Sequence, residues 1–303
     1  MSESVTRVGT EMRSYYGHPV LKEPVWTWEI PVYFWTGGIA GATSLLGLAA
    51  RIARNEPLTK ASVYVAAAFD VASPPFLISD LGRPERFLNM FRVFKVTSPM
   101  SVGSWILGIS GGASATAAML EATGRLRPLK LLAEGVSALT GAPLATYTGA
   151  LVANTAVPAW HEARRELPFL FGASAAASAG AVGVLAVPPA DAGPARRLAI
   201  GGAAAANALA LVLETRLGFV GEPYRVGAAG KLGRLSKAAT AAGAALLARK
   251  GPTSRAAAIA GGALVLGGEL ALRFAVLEAG RQSARDPRYT VVPQRQRLDE
   301  RGR

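Results

Sequence analysis

The sequence predicts an all-α integral membrane protein, and three observations carry that prediction. Half of the 303 residues are apolar and only 17% are charged, where a soluble domain carries about a quarter charged. The apolar residues come in long blocks, several near the roughly 20 residues that a helix needs to cross a bilayer core. A chain with such blocks must satisfy its own backbone in lipid, and helices do so within one segment. The composition also excludes chemistry. With no cysteine, there are no disulfides, no thiolate zinc sites and no cysteine-ligated clusters.

Eight blocks follow in order. The first runs from Trp28 to Ala50, with Pro31 in the first turn, where its missing N–H costs nothing. The second, Ala61 to Ile78, is expected to end at Pro74-Pro75. The third is Ser101 to Leu120. The fourth, Leu131 to Val157, holds Pro143 as an expected kink. The fifth, Leu167 to Val187, stops at Pro188-Pro189. The sixth is Leu198 to Leu217. The seventh, Leu232 to Ala248, is the weakest, because Arg234 and Lys237 sit at its start. The eighth is Ala256 to Leu277, with a polar tail over 278–303. The first 27 residues lack the apolar core of a cleavable signal peptide, so insertion through the first block is expected. Gly37 and Gly41, and Gly108 and Gly112, are four apart, a spacing that lets helices approach closely.

Eight crossings put both ends of the chain on one side, called here the N-side. It holds residues 1–27, the long loop 79–100, the WHEARRE loop and the tail. The opposite side has four short links dense in Lys and Arg. Short basic loops favour the cytoplasm, which leans the N-side outward. The net charge of +13 therefore speaks to lipid headgroups and orientation. No basic face with base-stacking aromatics points to nucleic acid. Trp26, Trp28, Trp35, Trp105 and Trp160 all lie near N-side helix ends, as in an interfacial aromatic belt.

Ionisable groups at membrane depth are functional candidates by default. Asp70 lies two to three turns into the second block and has no basic neighbour in its own helix, so it needs a partner from elsewhere or must hold a proton. Glu269 and Arg273 are four apart in the eighth block, share a face, and are expected to form a buried structural ion pair. Glu214 and Arg216 lie close enough to the interface to snorkel. Tyr147 and Asn154 are seven apart on one face of the fourth block. His18, one of two histidines, lies just before the first block, where an imidazole can hand over a proton near neutral pH. His161 stands among loop charges. No block contains a histidine, so no axial pair for haem is expected. GGIAG lies inside a helix and lacks nucleotide-binding spacing.

The runs PVLKEPVWTWEIPVYFWTGGIAGATSLL and DLGRPERFLNMFRVFKVTSPMSVGSW, with the late GELALRF and AGRQSARDPRY, resemble the NrfD/PsrC family of polysulfide reductase-like membrane subunits. The resemblance implies eight spans in two four-helix bundles, here 28–160 and 161–277. It implies a subunit of a bacterial cytoplasmic membrane complex with no haem or cluster of its own, reacting with menaquinone or ubiquinone rather than acting as a stand-alone enzyme. Its implied partners are a ferredoxin-like 4Fe-4S subunit and a molybdopterin-type catalytic subunit. Family quinone contacts map to His18 and Tyr147. Asp70 and Asn154 are candidate proton relays, and Asp80, Arg83, Arg86 and Arg92 in the long loop are candidate docking residues. A passive membrane anchor and a small-molecule or ion transporter are the alternatives; a transporter is expected to show Gly/Pro breaks in both halves, and only the fourth block has a central proline.

Overall fold

The computed structural model describes residues 20–301, and no strand occurs among them. The helices are α1 Glu29–Ile52, α2 Glu56–Ser79, α3 Pro99–Thr123, α4 Arg127–Ala153, the short α5 Pro158–Glu162, α6 Leu167–Ala186, α7 Gly193–Arg216, α8 Gly227–Arg249, α9 Arg255–Arg285 and α10 Arg288–Arg301. Six of them, α1, α2, α4, α6, α7 and α9, are long and apolar enough to cross a membrane. α3 and α8 have the length without that apolarity. α3 spends much of its sequence on Ser, Thr and Gly, and the first half of α8 carries Lys231, Arg234 and Lys237. Eight equally apolar spans are therefore not what the composition supports.

Helix ends follow local signals. The Asn55 side chain accepts from Leu58 N at the start of α2, and Ser98 and Ser254 cap α3 and α9 in the same way. Gly124, at φ +67°, closes α3 in the left-handed conformation that glycine adopts without strain. α2, α7 and α8 each start five residues before the expected position, and three helix ends also differ. α2 runs through Pro74 and Pro75 to Ser79. Each proline lacks the N–H that would bond four residues back, so the backbone carbonyls of Asp70 and Val71 lose their helical donors. α4 stops at Ala153, with Asn154 as its C-cap, because Pro158 starts a new turn and the backbone must leave the helix before it. α9 continues two turns past Leu277, so residues 278–285 are helix rather than tail.

Short links join α1 to α2, α3 to α4, α6 to α7 and α8 to α9, which makes each pair antiparallel neighbours. Among the first four, α1 packs along α2 and α4, and α3 along α4 and α2. Among the later four, α6 packs along α7 and α9, and α8 along α9 and α7; α1 and α4 both meet α6. Gly41 is a true crossing point. A Cβ there would strike the backbone of Gly141 on α4, and one on Gly141 would strike Gly41. Gly112, from the other spaced pair, has no neighbour within 4 Å, so its spacing serves no crossing.

At the N-side the segment before α1 lies across the end of α9. Trp26 stacks on Trp160, with ring centroids 5.3 Å apart, and Arg281 donates to the Trp26 carbonyl. Arg285 binds Glu23 in bidentate fashion at 2.6 and 2.9 Å, and this bond holds the Glu23 carboxyl below its usual range. The tether's contribution is present above the ordinary carboxylate value of 4.5 and fades as pH falls below it. Trp26 emission is expected to shift as pH is lowered from about 7 to about 3. Arg285→Gln should show the shifted emission already at neutral pH; identical titrations of the two proteins would refute the tether.

Candidate functional site

The site builds from α1 and α4 near their N-side ends. Tyr33 lies about 6 Å inside the start of α1, and Tyr147 about 9 Å inside the end of α4. Their hydroxyls hydrogen-bond each other. One hydroxyl of such a pair donates to the other, so the second keeps its own proton for an incoming acceptor. The Tyr147 ring lies against Gly103 of α3, where any Cβ would strike the ring. Glycine at this position thus sets how close phenol and helix come. Tyr33 is buried against Phe34, and Phe34 against Phe171.

One turn deeper, Ser73 of α2 donates to Thr36 of α1 at 2.9 Å. Deeper still is Asp70, only 2% exposed. Its Oδ2 accepts from Ser110 at 3.1 Å and from Ser114 at 2.7 Å, both on α3. Its Oδ1 has no partner among the described residues. The partner that the sequence demanded is therefore a pair of neutral hydroxyls, not a cation. Two serines four apart on α3 were the signal for it, since that spacing sets both hydroxyls on one face.

The other candidates fall elsewhere. His18 lies outside the described residues. Asn154 is exposed at the rim and does not approach Asp70; it lines a groove of about 420 Å³ together with His161, Glu162, Tyr289 and Arg297. Arg297 of α10 reaches Glu162 across that groove at 2.5 Å.

Glu269 and Arg273 are both buried, at 1% exposure, but the expected ion pair does not close. Arg273 turns toward α6 instead, laying its guanidinium 3.8 Å over the Phe171 ring and donating to the Phe171 carbonyl at 3.1 Å. Both Glu269 carboxylate oxygens lack a partner among the described residues. Glu214 and Arg216 do not simply snorkel. Lys237 holds Glu214 at 2.7 Å, and Arg216 holds Glu166. Trp160 is not part of a belt either. It is buried, donates to the Val276 carbonyl at 2.7 Å, and occupies the space that Gly280 leaves.

The loop after α2 contains a 3-10 turn over Pro84–Phe91. Phe91 rests on Gly108 and edge-on to Trp105, which pins the turn to α3. Asp80 serves the chain itself, accepting from the Thr27 backbone N–H and hydroxyl at 3.1 Å. Arg83, Arg86 and Arg92 are exposed, interleaved with exposed Leu88 (72%), Phe94 (59%) and Val96 (75%). Cations alternating with bare apolar side chains suit a protein surface or a headgroup layer rather than water alone.

Among curated proteins none matches the chain. The family described as polysulphide reductase, NrfD, matches residues 18–193, a stretch that holds Tyr33, Asp70, the Pro84–Phe91 loop and Tyr147. That stretch is more than half of the sequence, and its helices are those of a membrane protein: the chain belongs to the NrfD polysulphide reductase family.

Proposed function

We propose that this chain is the quinone-reactive membrane subunit of a multisubunit oxidoreductase, spanning the bilayer eight times in two four-helix bundles. One observation carries the reading. The paired hydroxyls of Tyr33 and Tyr147 sit within two turns of the face that also bears the basic and apolar Pro84–Phe91 loop. NrfD family members are generally membrane subunits that partner iron–sulfur and molybdenum catalytic subunits. An iron–sulfur subunit seated on that loop would bring its nearest cluster to the tyrosine side of the membrane.

The quinone is the substrate; it takes or gives two electrons and two protons. The chain's own contribution is binding, orientation and proton handling. The free proton of the tyrosine pair is a donor to a ring carbonyl, and a fixed donor in a dry site favours the form with more charge on oxygen. Gly103 keeps the Tyr147 ring in place. His18, by its position before α1, is the proposed donor at the second carbonyl. Arg83, Arg86 and Arg92 supply charge for docking, while Asp80 braces the loop root.

The test uses the complex purified through a tag on this chain. It is expected to contain iron–sulfur clusters whose visible absorbance bleaches with decylubiquinol or menadiol. Clusters that reduce with dithionite yet ignore both quinols would favour a passive anchor.

A further inference from the structure

We propose that the first four helices conduct the protons of the quinone reaction to and from the membrane face opposite the docking loop. The path is a column of hydroxyls and carboxyls along the axis of α1–α4. This inference rests on the quinone reading above.

A helix bundle in lipid gains nothing from polar groups on its axis, because each must be stripped of water. Here all four helices place one there. Beneath the tyrosine pair lie Thr36 and Ser73, and then Asp70 with Ser110 and Ser114. Ser114 also lines a small, partly open cavity of about 20 Å³ with Ser44, Ser62, Ser137 and Glu134. That volume holds one water. Ser44 and Ser137 hydrogen-bond at 2.8 Å across it. Ser62 Oγ and Asp70 Oδ1 are buried and without partners among the described residues. Ser62 lines that cavity, where the water would complete its hydroxyl, and Asp70 reaches the same cavity through Ser114.

The far end is also built. Glu134, 8% exposed, forms a bidentate pair with Arg51. Arg51 in turn lines an open groove of about 580 Å³ with Lys60, Glu121 and Lys130. The Arg51–Glu134 pair closes the column toward the basic links, and its opening admits or releases a proton. The depths agree: along their helices Asp70, Ser114, Ser137 and Glu134 lie about 14, 22, 24 and 29 Å from the N-side ends.

The balance follows. Reducing one quinone takes two electrons from the partner's iron–sulfur centre on the N-side and two protons from the column, and both ring oxygens become hydroxyls. Oxidising the quinol runs each step backward. Electrons and protons reach the ring from opposite faces, so each turnover separates charge across the bilayer.

Because the chain has no cysteine, Ser62→Cys introduces the one thiol of this subunit at the cavity, and Ser137→Cys is a second, independent reporter. Each is read as silver-dependent loss of turnover beyond that of the wild-type complex, whose partner subunits carry cluster cysteines. Silver ion, close to water in size, is added to one face of sealed vesicles bearing the complex. Reaction about tenfold faster from the basic-link face is expected for both reporters. Equal rates, or faster reaction from the docking face, would overturn the path. In the same vesicles Asp70→Asn and Glu134→Gln should lower decylubiquinol turnover about tenfold with KM unchanged, and Glu134→Asp should restore it. If wild type turns over and both variants match it, the column fails while the quinone reading stands. If wild type ignores decylubiquinol, the quinone reading fails and the proposal goes with it.

Discussion

Replacing Tyr147 by phenylalanine lowers quinol turnover of the assembled complex about a hundredfold, the scale seen when one preorganised donor to a developing oxyanion is removed. Only the hydroxyl leaves. The ring keeps its seat on Gly103, so helix packing persists, and Tyr33 loses its partner at a cost of about 1–3 kcal/mol for a stranded buried hydroxyl. That leaves the chain folded. Steady-state kinetics with decylubiquinol separate the two possible losses. A donor used mainly in the transition state lowers kcat with little change in KM; a donor used only for binding raises KM. Tyr33→Phe is the companion variant. It removes the other half of the pair and should lower turnover less if Tyr147 is the hydroxyl that faces the substrate. Full activity in both variants would return the chain to the passive-anchor reading.

Arg273→Met destabilises the later four helices by about 3–5 kcal/mol, the range for removing one of two buried charged groups. Arg273 offsets Glu269 from one turn away, although the two form no direct bond, and it binds the Phe171 ring and carbonyl. Without it, the Glu269 carboxylate is left buried with neither oxygen partnered. The double variant Glu269→Gln with Arg273→Met is expected to recover most of that loss, because a neutral amide is far cheaper to bury than a lone charge. Thermal unfolding of the purified complex, followed through the absorbance of its clusters and the fluorescence of the chain, reads all four corners of the cycle. A double variant as unstable as Arg273→Met alone would show that Arg273 acts only through its contact with Phe171.

Much of the fold was legible. Block lengths and apolarity placed every long helix within about a turn and a half of its start, since a bilayer span has a narrow length range. The errors at two helix ends involved proline. Pro74 and Pro75 read as a stop, yet α2 runs through them. The site was legible by halves. Asp70 stood out because a carboxylate at membrane depth is costly wherever it points, and Tyr147 entered through a family resemblance. Tyr33 did not stand out, since one tyrosine near a helix end looks like any interfacial aromatic until its neighbour across the bundle is known. The Glu269–Arg273 pair shows the converse. Spacing on one helix put them on a common face, but the guanidinium found a better seat on α6.

The sequence by itself determined the class of molecule, the eight long helices and the absence of cysteine-ligated centres, because these depend on composition and on period along one chain. Only the tertiary structure decided which hydroxyl meets which carboxyl. Tyr33 with Tyr147, Asp70 with Ser110 and Ser114, and Glu134 with Arg51 each join residues on different helices. Their partnership depends on how each helix is rotated about its axis, and that rotation is set by close packing at crossings such as Gly41 on Gly141.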